Sequence, residues 1–451
     1  MFPATSTNSP GYPVANPTIS FWLQGTRSSS LLGHRTTEAL PETAEVAIIG
    51  SGISGASIAY FLLKSANPPT SIVILEAREA CYGATGRNGG HCRPDCFWGY
   101  SGYKNEFGKE QALKILQNEM DTLNLITELI ANEGIDCDFW RGRTYQIASD
   151  EEYAEQLSAN YDDFVSDGGP VKDIVDFISD PLEAQRLTLT PSAIRAASSP
   201  AGSLWPYKFV AHLLKLCIEK HGLNLQTNTP VRSVAQASQT NDWILHTDRG
   251  DLRANKVVYA TNAWTATLLP EFLGSIVPNR GQCAAIVPTK AYSGPNMVKS
   301  TLLWRRGSSK VDYMMQRHKD GIIIVGGGKS GVVPEEEIVG KADDSVKLPQ
   351  FTEHLRSILP KHLADWGSEV TGEGLLCDWT GIRAFTPEMV PYVGALPGKT
   401  NAFICAGHSG HGMARAVSCA KGLAALIQGS SWEDTGLPEC FQPTRKRIAK
   451  F

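Results

Sequence analysis

The chain has no surplus of positive charge: 42 Lys and Arg stand against 46 Asp and Glu in 451 residues, a formal net charge of −4. That balance argues against nucleic acid as a partner, because a phosphate-binding footprint needs a basic excess. No run approaches the ~18 apolar residues of a membrane span. The N-terminus lacks the basic start and apolar stretch of a secretory signal, and the last residues match no peroxisomal or lipidation address. The ten cysteines are therefore expected to be reduced, mostly buried thiols of a cytoplasmic protein rather than a disulfide framework. With 42% hydrophobic residues the composition is neither collagen-like nor disordered. No internal repeat is apparent. The one slight surplus is glycine, 42 residues, and its placement is informative.

Residues 1–43 are rich in Ser, Thr, Pro and Asn and read as an extended arm, part of which docks through Phe21, Trp22, Leu23, Leu31 and Leu32. The pattern changes at Glu45. Val46-Ala47-Ile48-Ile49 suits a strand buried on both faces, and Ile72-Val73-Ile74-Leu75 suits a second, with a helical stretch over 56–65 between them. Apolar spacing predicts further helices over 109–132, 151–165 and 412–428. Residues 311–325 read as a hairpin turning at Lys319-Asp320-Gly321, while 256–262 and 403–407 read as buried strands leading into turns.

Between the first two strands lies Gly50-Ser51-Gly52-Ile53-Ser54-Gly55. Gly50 permits a tight turn, Gly52 lets the backbone approach a pyrophosphate, and Gly55 lets helix and strand pack closely. The helix N-terminus around Ile53 and Ser54 offers free N–H groups to phosphate. Glu76 ends the second strand, placed to accept hydrogen bonds from an adenosine ribose, with Ala77 and Arg78 beside it. A second glycine-rich segment follows: Gly83-Ala84-Thr85-Gly86-Arg87-Asn88-Gly89-Gly90. An NAD enzyme rarely needs such a segment, and it suggests more backbone lying against a cofactor.

These two motifs, with Val257-Val258-Tyr259-Ala260-Thr261-Asn262-Ala263-Trp264 and Ala406-Gly407-His408-Ser409-Gly410-His411-Gly412-Met413, resemble the FAD-dependent amine and amino-acid oxidoreductases. This superfamily includes D-amino-acid oxidase, glycine oxidase and sarcosine oxidase, and the Arg-Asn-Gly-Gly loop and Trp-containing arm are most similar to gamma-glutamylputrescine oxidase-like proteins. The resemblance implies an α/β fold. A Rossmann-like FAD-binding domain (44–110, 207–268 and 370–430) would interleave with an α+β substrate domain (111–206 and 269–369) built on a mostly antiparallel sheet, with 431–451 as a tail. It implies noncovalent FAD held by the residues of the first two motifs, by Val231, Thr261 and Trp264, and by Gly407, Ser409, Gly410, His411, Gly412 and Met413. Backbone N–H groups of the late turn would face the flavin O2, where positive potential favours the charge that a flavin takes up on reduction. Arg383 would fork onto a substrate carboxylate. The implied reaction is oxidation of an amine or amino acid by hydride transfer to flavin N5, with O2 as acceptor giving H2O2.

Two positions depart from the family. Where relatives attach FAD through cysteine this chain has Gly381, with Cys377 four residues away; where they carry an oxygen-activating lysine it has Ile324. Positive charge for oxygen chemistry would then come from Lys329, His91 or His411. His91-Cys92 and Asp95-Cys96 lack a second pair to complete a metal site, so no metal is expected. Of Trp98, Tyr100, Tyr103, Trp140, Trp205, Tyr207, Trp304, Tyr313 and Trp379, most are expected in the core and a few around an amine-binding cavity. A flavin dehydrogenase or tailoring oxidase for a larger natural product, and an idle FAD-stabilised scaffold, are the competing readings.

Overall fold

The structure is a computed structural model, and it describes residues 9–238, 240–307, 310–328 and 331–449. The chain builds two sheets. In the first, Thr43–Ile49 lies between Ile72–Leu75 and Gly250–Tyr259, parallel to both. Asn224–Gln226 extends one side in parallel, and Ala402–Ala406 then antiparallel Tyr392–Ala395 extend the other. Val46 to Ile48 and Ile72 to Leu75 are buried, as continuous β-branched runs covered on both faces must be. The helix Ile53–Leu63 is buried along almost its whole length because it packs against both Pro206–His221 and Gly412–Ile427. Ile49 pairs with Leu75 and with Tyr259, so the carboxyl ends of three strands finish together. The loops starting at Gly50, Glu76 and Ala260 emerge there, where open parallel sheets bind ligands.

The second sheet runs Gly374–Phe385, Val277–Val287, Ile323–Gly327, Lys310–Gln316, Thr301–Arg306, Trp140–Ala148, Arg195–Ser203, His91–Cys92, with Asp176–Ile178 beside Arg195–Ser203. This sheet is mixed where a mostly antiparallel one was expected: Thr301–Arg306 and Trp140–Ala148 pair in parallel. A parallel neighbour needs a long crossover, and the chain supplies one by passing back through the first sheet between these strands. Two stretches expected with the nucleotide-binding part pair here instead. His91–Cys92 joins Arg195–Ser203, and Gly374–Phe385 runs the length of Val277–Val287. The chain crosses back only after Phe385, so Gly374–Phe385 and the next strand, Tyr392–Ala395, belong to different sheets.

The helices Lys109–Glu133 and Glu151–Ser166 begin and end close to their expected bounds. Asp150 caps the second by accepting from Tyr153 N, and Gly134 closes the first at φ 64°. The arm docks as expected: Trp22, Leu23 and Leu31 are buried. All ten cysteines are free, and among the described residues no helix is long and apolar enough to cross a membrane.

Candidate functional site

One cavity of about 750 Å³ lies between the sheets, lined by residues of both. At its first-sheet end are Gly50, Gly52, Ile53, Ser54, Glu76, Ala77 and Arg78. Gly50 has φ 106°, and a Cβ there would meet Ala260 O at 2.6 Å, so both conformation and space demand glycine. Gly55 does not line the cavity. A Cβ on it would stand 1.9 Å from Gly50 O, which fits the expected role in close helix–strand packing. The helix starts at Gly52 with no side-chain cap, although Ile53 N donates to Thr85 Oγ1 at 3.0 Å. Glu76 Oε2 accepts from Ser51 N and Oγ, and Oε1 accepts from Arg78 N. These bonds fix the carboxylate at the cavity wall with lone pairs to spare.

Gly83, Ala84, Thr85, Arg87, Asn88 and Gly89 also line the cavity, with Val231, Thr261 and Trp264 opposite. Gly90 and Gly407 do not. Gly90 has φ 75° and lies against Leu204 O, Met315 and Trp22, while Gly407 has φ 79° and its N–H donates to Asn262 Oδ1. The guanidinium of Arg87 is engaged mostly by protein acceptors. It donates to Tyr82 O, Thr18 O and Thr380 O and lies 3.3 Å from buried Asp344. Arg78 donates to the same Asp344 at 3.0 Å and to Tyr82 O. Both arginines thus clamp the loop to the arm and to the segment carrying Asp344. Ser20 Oγ donates to Gly86 O, and Trp22 Nε1 to Asn88 O, tightening the same clamp.

The late turn brings His408, Ser409, Gly410, His411, Gly412 and Met413 to the cavity. His411 stands at the N-cap of Gly412–Ile427 without capping it. Its Nδ1 lies 2.9 Å from Glu119 Oε1, which also accepts from Arg415 Nε at 2.6 Å. Burial opposes the charge on Glu119, but His411 and Arg415 outweigh it and hold the carboxyl down to about 2. Burial, then the nearby Arg415 charge, lowers His408 to about 3, so that ring is neutral near pH 7. Its Nε2 meets Ser54 Oγ at 3.2 Å, joining the two glycine-rich turns.

The second sheet forms the floor. Arg383 Nη2 donates to Asn279 Oδ1 at 2.8 Å, its Nε is buried without a partner, and it forms no ion pair among the described residues. Tyr313 stands nearby with its hydroxyl 3.4 Å from Cys283 Sγ. His91 meets the Tyr313 ring edge-on, and its Nε2 lies 3.3 Å from Met314 O. Desolvation lowers His91 to about 4, so it supplies no positive charge near pH 7. Ile324 is buried in the core, and Lys329 lies outside the described residues. Gly381 packs against Arg87, where a cysteine side chain would press on that clamp. Among the described residues no cluster suited to a metal ion is present. Of the nine aromatics singled out above, Tyr313 lines the cavity. Sequence reasoning missed Glu119 and Asp344, each hundreds of residues from its arginine partners. It also missed Arg93, which follows the strand His91–Cys92, and Arg305 on Thr301–Arg306, because a place on or beside a strand marks a face but not a cavity.

FAD fits what is present. A methyl on Gly83 would meet nothing nearer than Trp264 at 4.0 Å, and one on Gly412 nothing nearer than His408 Cβ at 3.7 Å. Their bareness therefore keeps space for something that is not protein. Trp264 Nε1 and His408 Nδ1 are buried at the cavity without partners.

A dinucleotide cradle facing a sheet-floored chamber defines a flavin-dependent oxidoreductase. The chain belongs to the DAO family of FAD dependent oxidoreductases, whose pattern it matches over residues 45–426. It is 24% identical to gamma-glutamylputrescine oxidoreductase of Escherichia coli, covering 86% of this chain and 84% of that one. It is also 24% identical to a glycine oxidase of Geobacillus kaustophilus, over 82% and 89% of the two chains. The crystal structure of glycine oxidase from Geobacillus kaustophilus superposes with a TM-score of 0.70 at 22% identity, covering 90% of this chain and 99% of that one.

Proposed function

We propose that this enzyme oxidises the C–N bond of an amine or amino acid bearing a carboxylate, yielding an imine, with O2 as final acceptor and H2O2 as product. The observation that carries the reading is Arg383: a desolvated guanidinium in the cavity, held by the Asn279 amide and lacking an acid partner among the described residues. A buried cation without a counter-charge is costly, and a ligand carboxylate would satisfy it bidentately. The relatives named above act on an amine and on an amino acid, which supports the same substrate class.

Bound FAD supplies the acceptor for the hydrogen removed from the carbon beside nitrogen. The protein's own part is positioning. Arg383 would hold the carboxylate end, Tyr313 would wall the chamber beside it, and the Gly412–Ile427 helix N-terminus would direct positive potential at the flavin. His411, whose Nδ1 lies 2.9 Å from Glu119 Oε1 at that N-terminus, is the side chain we assign to oxygen chemistry, since Ile324 is apolar and His91 is neutral. The burial of Ile324 also favours a second reading, a dehydrogenase using another acceptor.

Anaerobic photometry of the FAD-loaded protein with a panel of amines and amino acids tests both. Bleaching by a carboxylate-bearing amine is expected, followed by recolouring in air within the turnover time. Recolouring far slower than bleaching would establish the dehydrogenase, and no bleaching by any member of the panel would overturn the proposal.

A further inference from the structure

Arginine is treated in two ways in this molecule. The six that are buried outright, Arg78, Arg87, Arg280, Arg317, Arg415 and Arg447, each have a carboxylate partner. Arg93 and Arg305 do not. Both line the cavity, both have an Nε buried without a partner, and neither forms an ion pair among the described residues. Thr144 Oγ1, at the same wall, is also buried and unpartnered.

The sheet register places this pair away from Arg383. Arg305 pairs with Val311 and shares a face with Leu303 and, across the sheet, Tyr313. Arg383 lies on the same floor, but four strand steps away, about 19 Å between backbones at the usual spacing. Gly281 and Gly381 pair with each other, and a Cβ on Gly281 would stand 3.1 Å from the Arg383 guanidinium, which lies over that part of the floor.

The surroundings hold Arg93 and Arg305 in place without neutralising them. Arg93 Nη2 donates to Gln146 Oε1 at 2.6 Å. The Arg305 guanidinium lies 5.1 Å from the Trp98 ring centroid and 5.9 Å from that of Tyr153. Asp95 is the acid nearest to Arg93 in charge, but it makes no ion pair with it, and its Oδ2 accepts from Gly99 N. Burial disfavours the charge on Arg93 and the charge of Arg305 acts against it too, an arrangement that a shared anion relieves.

We propose that Arg93 and Arg305 form a second carboxylate subsite, so that the substrate is an amine with two acid groups, one on Arg383 and the other, several carbons away, on this pair. The inference rests on the proposed function for the role of Arg383.

Calorimetric titration of the FAD-loaded protein with unreactive acids tests it without turnover. The probes are hexanoate and octanoate against the dicarboxylates of equal length, adipate and suberate. At least one dicarboxylate is expected to bind about tenfold or more tightly than its monocarboxylate, one added charge-assisted contact being worth roughly that factor. Arg305→Met or Arg93→Met should cut the advantage below about twofold while flavin content and monocarboxylate affinity stay unchanged. Where a methionine variant fails to retain flavin, Arg305→Lys keeps the charge without the fork and should lose part of the advantage. Equal binding within both pairs, or an advantage untouched by these substitutions, overturns the subsite. If the advantage holds but no amine bleaches the flavin, the oxidase reading fails and the subsite stands. If amines bleach it but the advantage is absent, the subsite alone fails.

Discussion

The arginines of the glycine-rich loop and the arginine of the sheet floor line one cavity, yet they do opposite things. Arg78 and Arg87 converge on fully buried Asp344, whereas Arg383 has an amide oxygen and an unpartnered Nε. The first pair is locked into architecture, and the second guanidinium has no acid partner among the described residues. The difference teaches that charged residues lining one cavity are told apart by where their counter-charges lie.

The comparison is broken most severely at Asp344. Asp344→Ala leaves two desolvated guanidinium groups without compensation, a change that typically costs about 3–5 kcal/mol. We expect a large fall in the urea midpoint and loss of flavin during gel filtration. An unchanged midpoint would mean that the clamp carries no stability. Arg383→Met, by contrast, should leave the midpoint unchanged or raised, because it removes a buried charge that lacks an acid partner.

That contrast also marks what the sequence could convey. The cradle was legible because its causes are local: Gly50 needs its φ, Gly55 needs its space, and Glu76 ends an apolar run a fixed distance on. The loop of Gly83 to Gly90 was legible as a segment but not in its parts. The acid that holds Arg78 and Arg87 is Asp344, more than 250 residues later in an unremarkable polar stretch. The sheet floor was harder still. Alternation along Thr301–Arg306 tells which side chains share a face, but it does not tell that the face carrying Arg305 lines a chamber. The same gap explains the misplacement of Gly374–Phe385, whose pairing with Val277–Val287 is invisible from either strand alone.

Function separates the two kinds of arginine next. For a carboxylate-bearing amine, Arg383→Met should weaken binding by about 2–4 kcal/mol, roughly 30- to 1000-fold in KM. An amine of similar size without a carboxylate should be affected little. Steady-state kinetics on both substrates checks this, and equal losses on the two would show that Arg383 supports the chamber rather than recognising the acid group.

A third region sharpens the comparison, because the buried acid behind the late turn works through pH. The Glu119 carboxyl is held at about 2, against an ordinary value of 4.5. Its contribution is therefore complete above pH 4.5 and is lost as pH falls towards 2, with a magnitude of up to about 3 kcal/mol. His408, lowered from 6.5 to about 3, also loses stability on acidification, beginning earlier, below pH 6.5. Denaturation midpoints from pH 7 to 3 should show Glu119→Gln flattening the lower part of the curve and His408→Gln the upper. Identical profiles would dissolve the assignment of either group.

The smallest effect addresses the premise beneath both regions, that the bare turns make room for a cofactor. Gly55 and Gly412 are both glycines at helix starts, but a Cβ on Gly55 would lie 1.9 Å from Gly50 O, whereas one on Gly412 would meet nothing nearer than His408 Cβ at 3.7 Å. Gly55→Ala is thus expected to disrupt the first sheet whatever is bound. Gly412→Ala should leave the flavin-free protein as stable as before or slightly more so, because alanine favours a helix by up to ~1 kcal/mol over glycine. The added methyl still takes space beside the cavity and crowds the N–H groups offered to the flavin. A loss of about 1 kcal/mol, roughly fivefold in FAD affinity, is expected from titration of the flavin-free protein. Were the affinity unchanged while the helix gained stability, the openness at Gly412 would belong to the chamber, and the flavin would have to be held by the Gly52 and Gly83 turns alone.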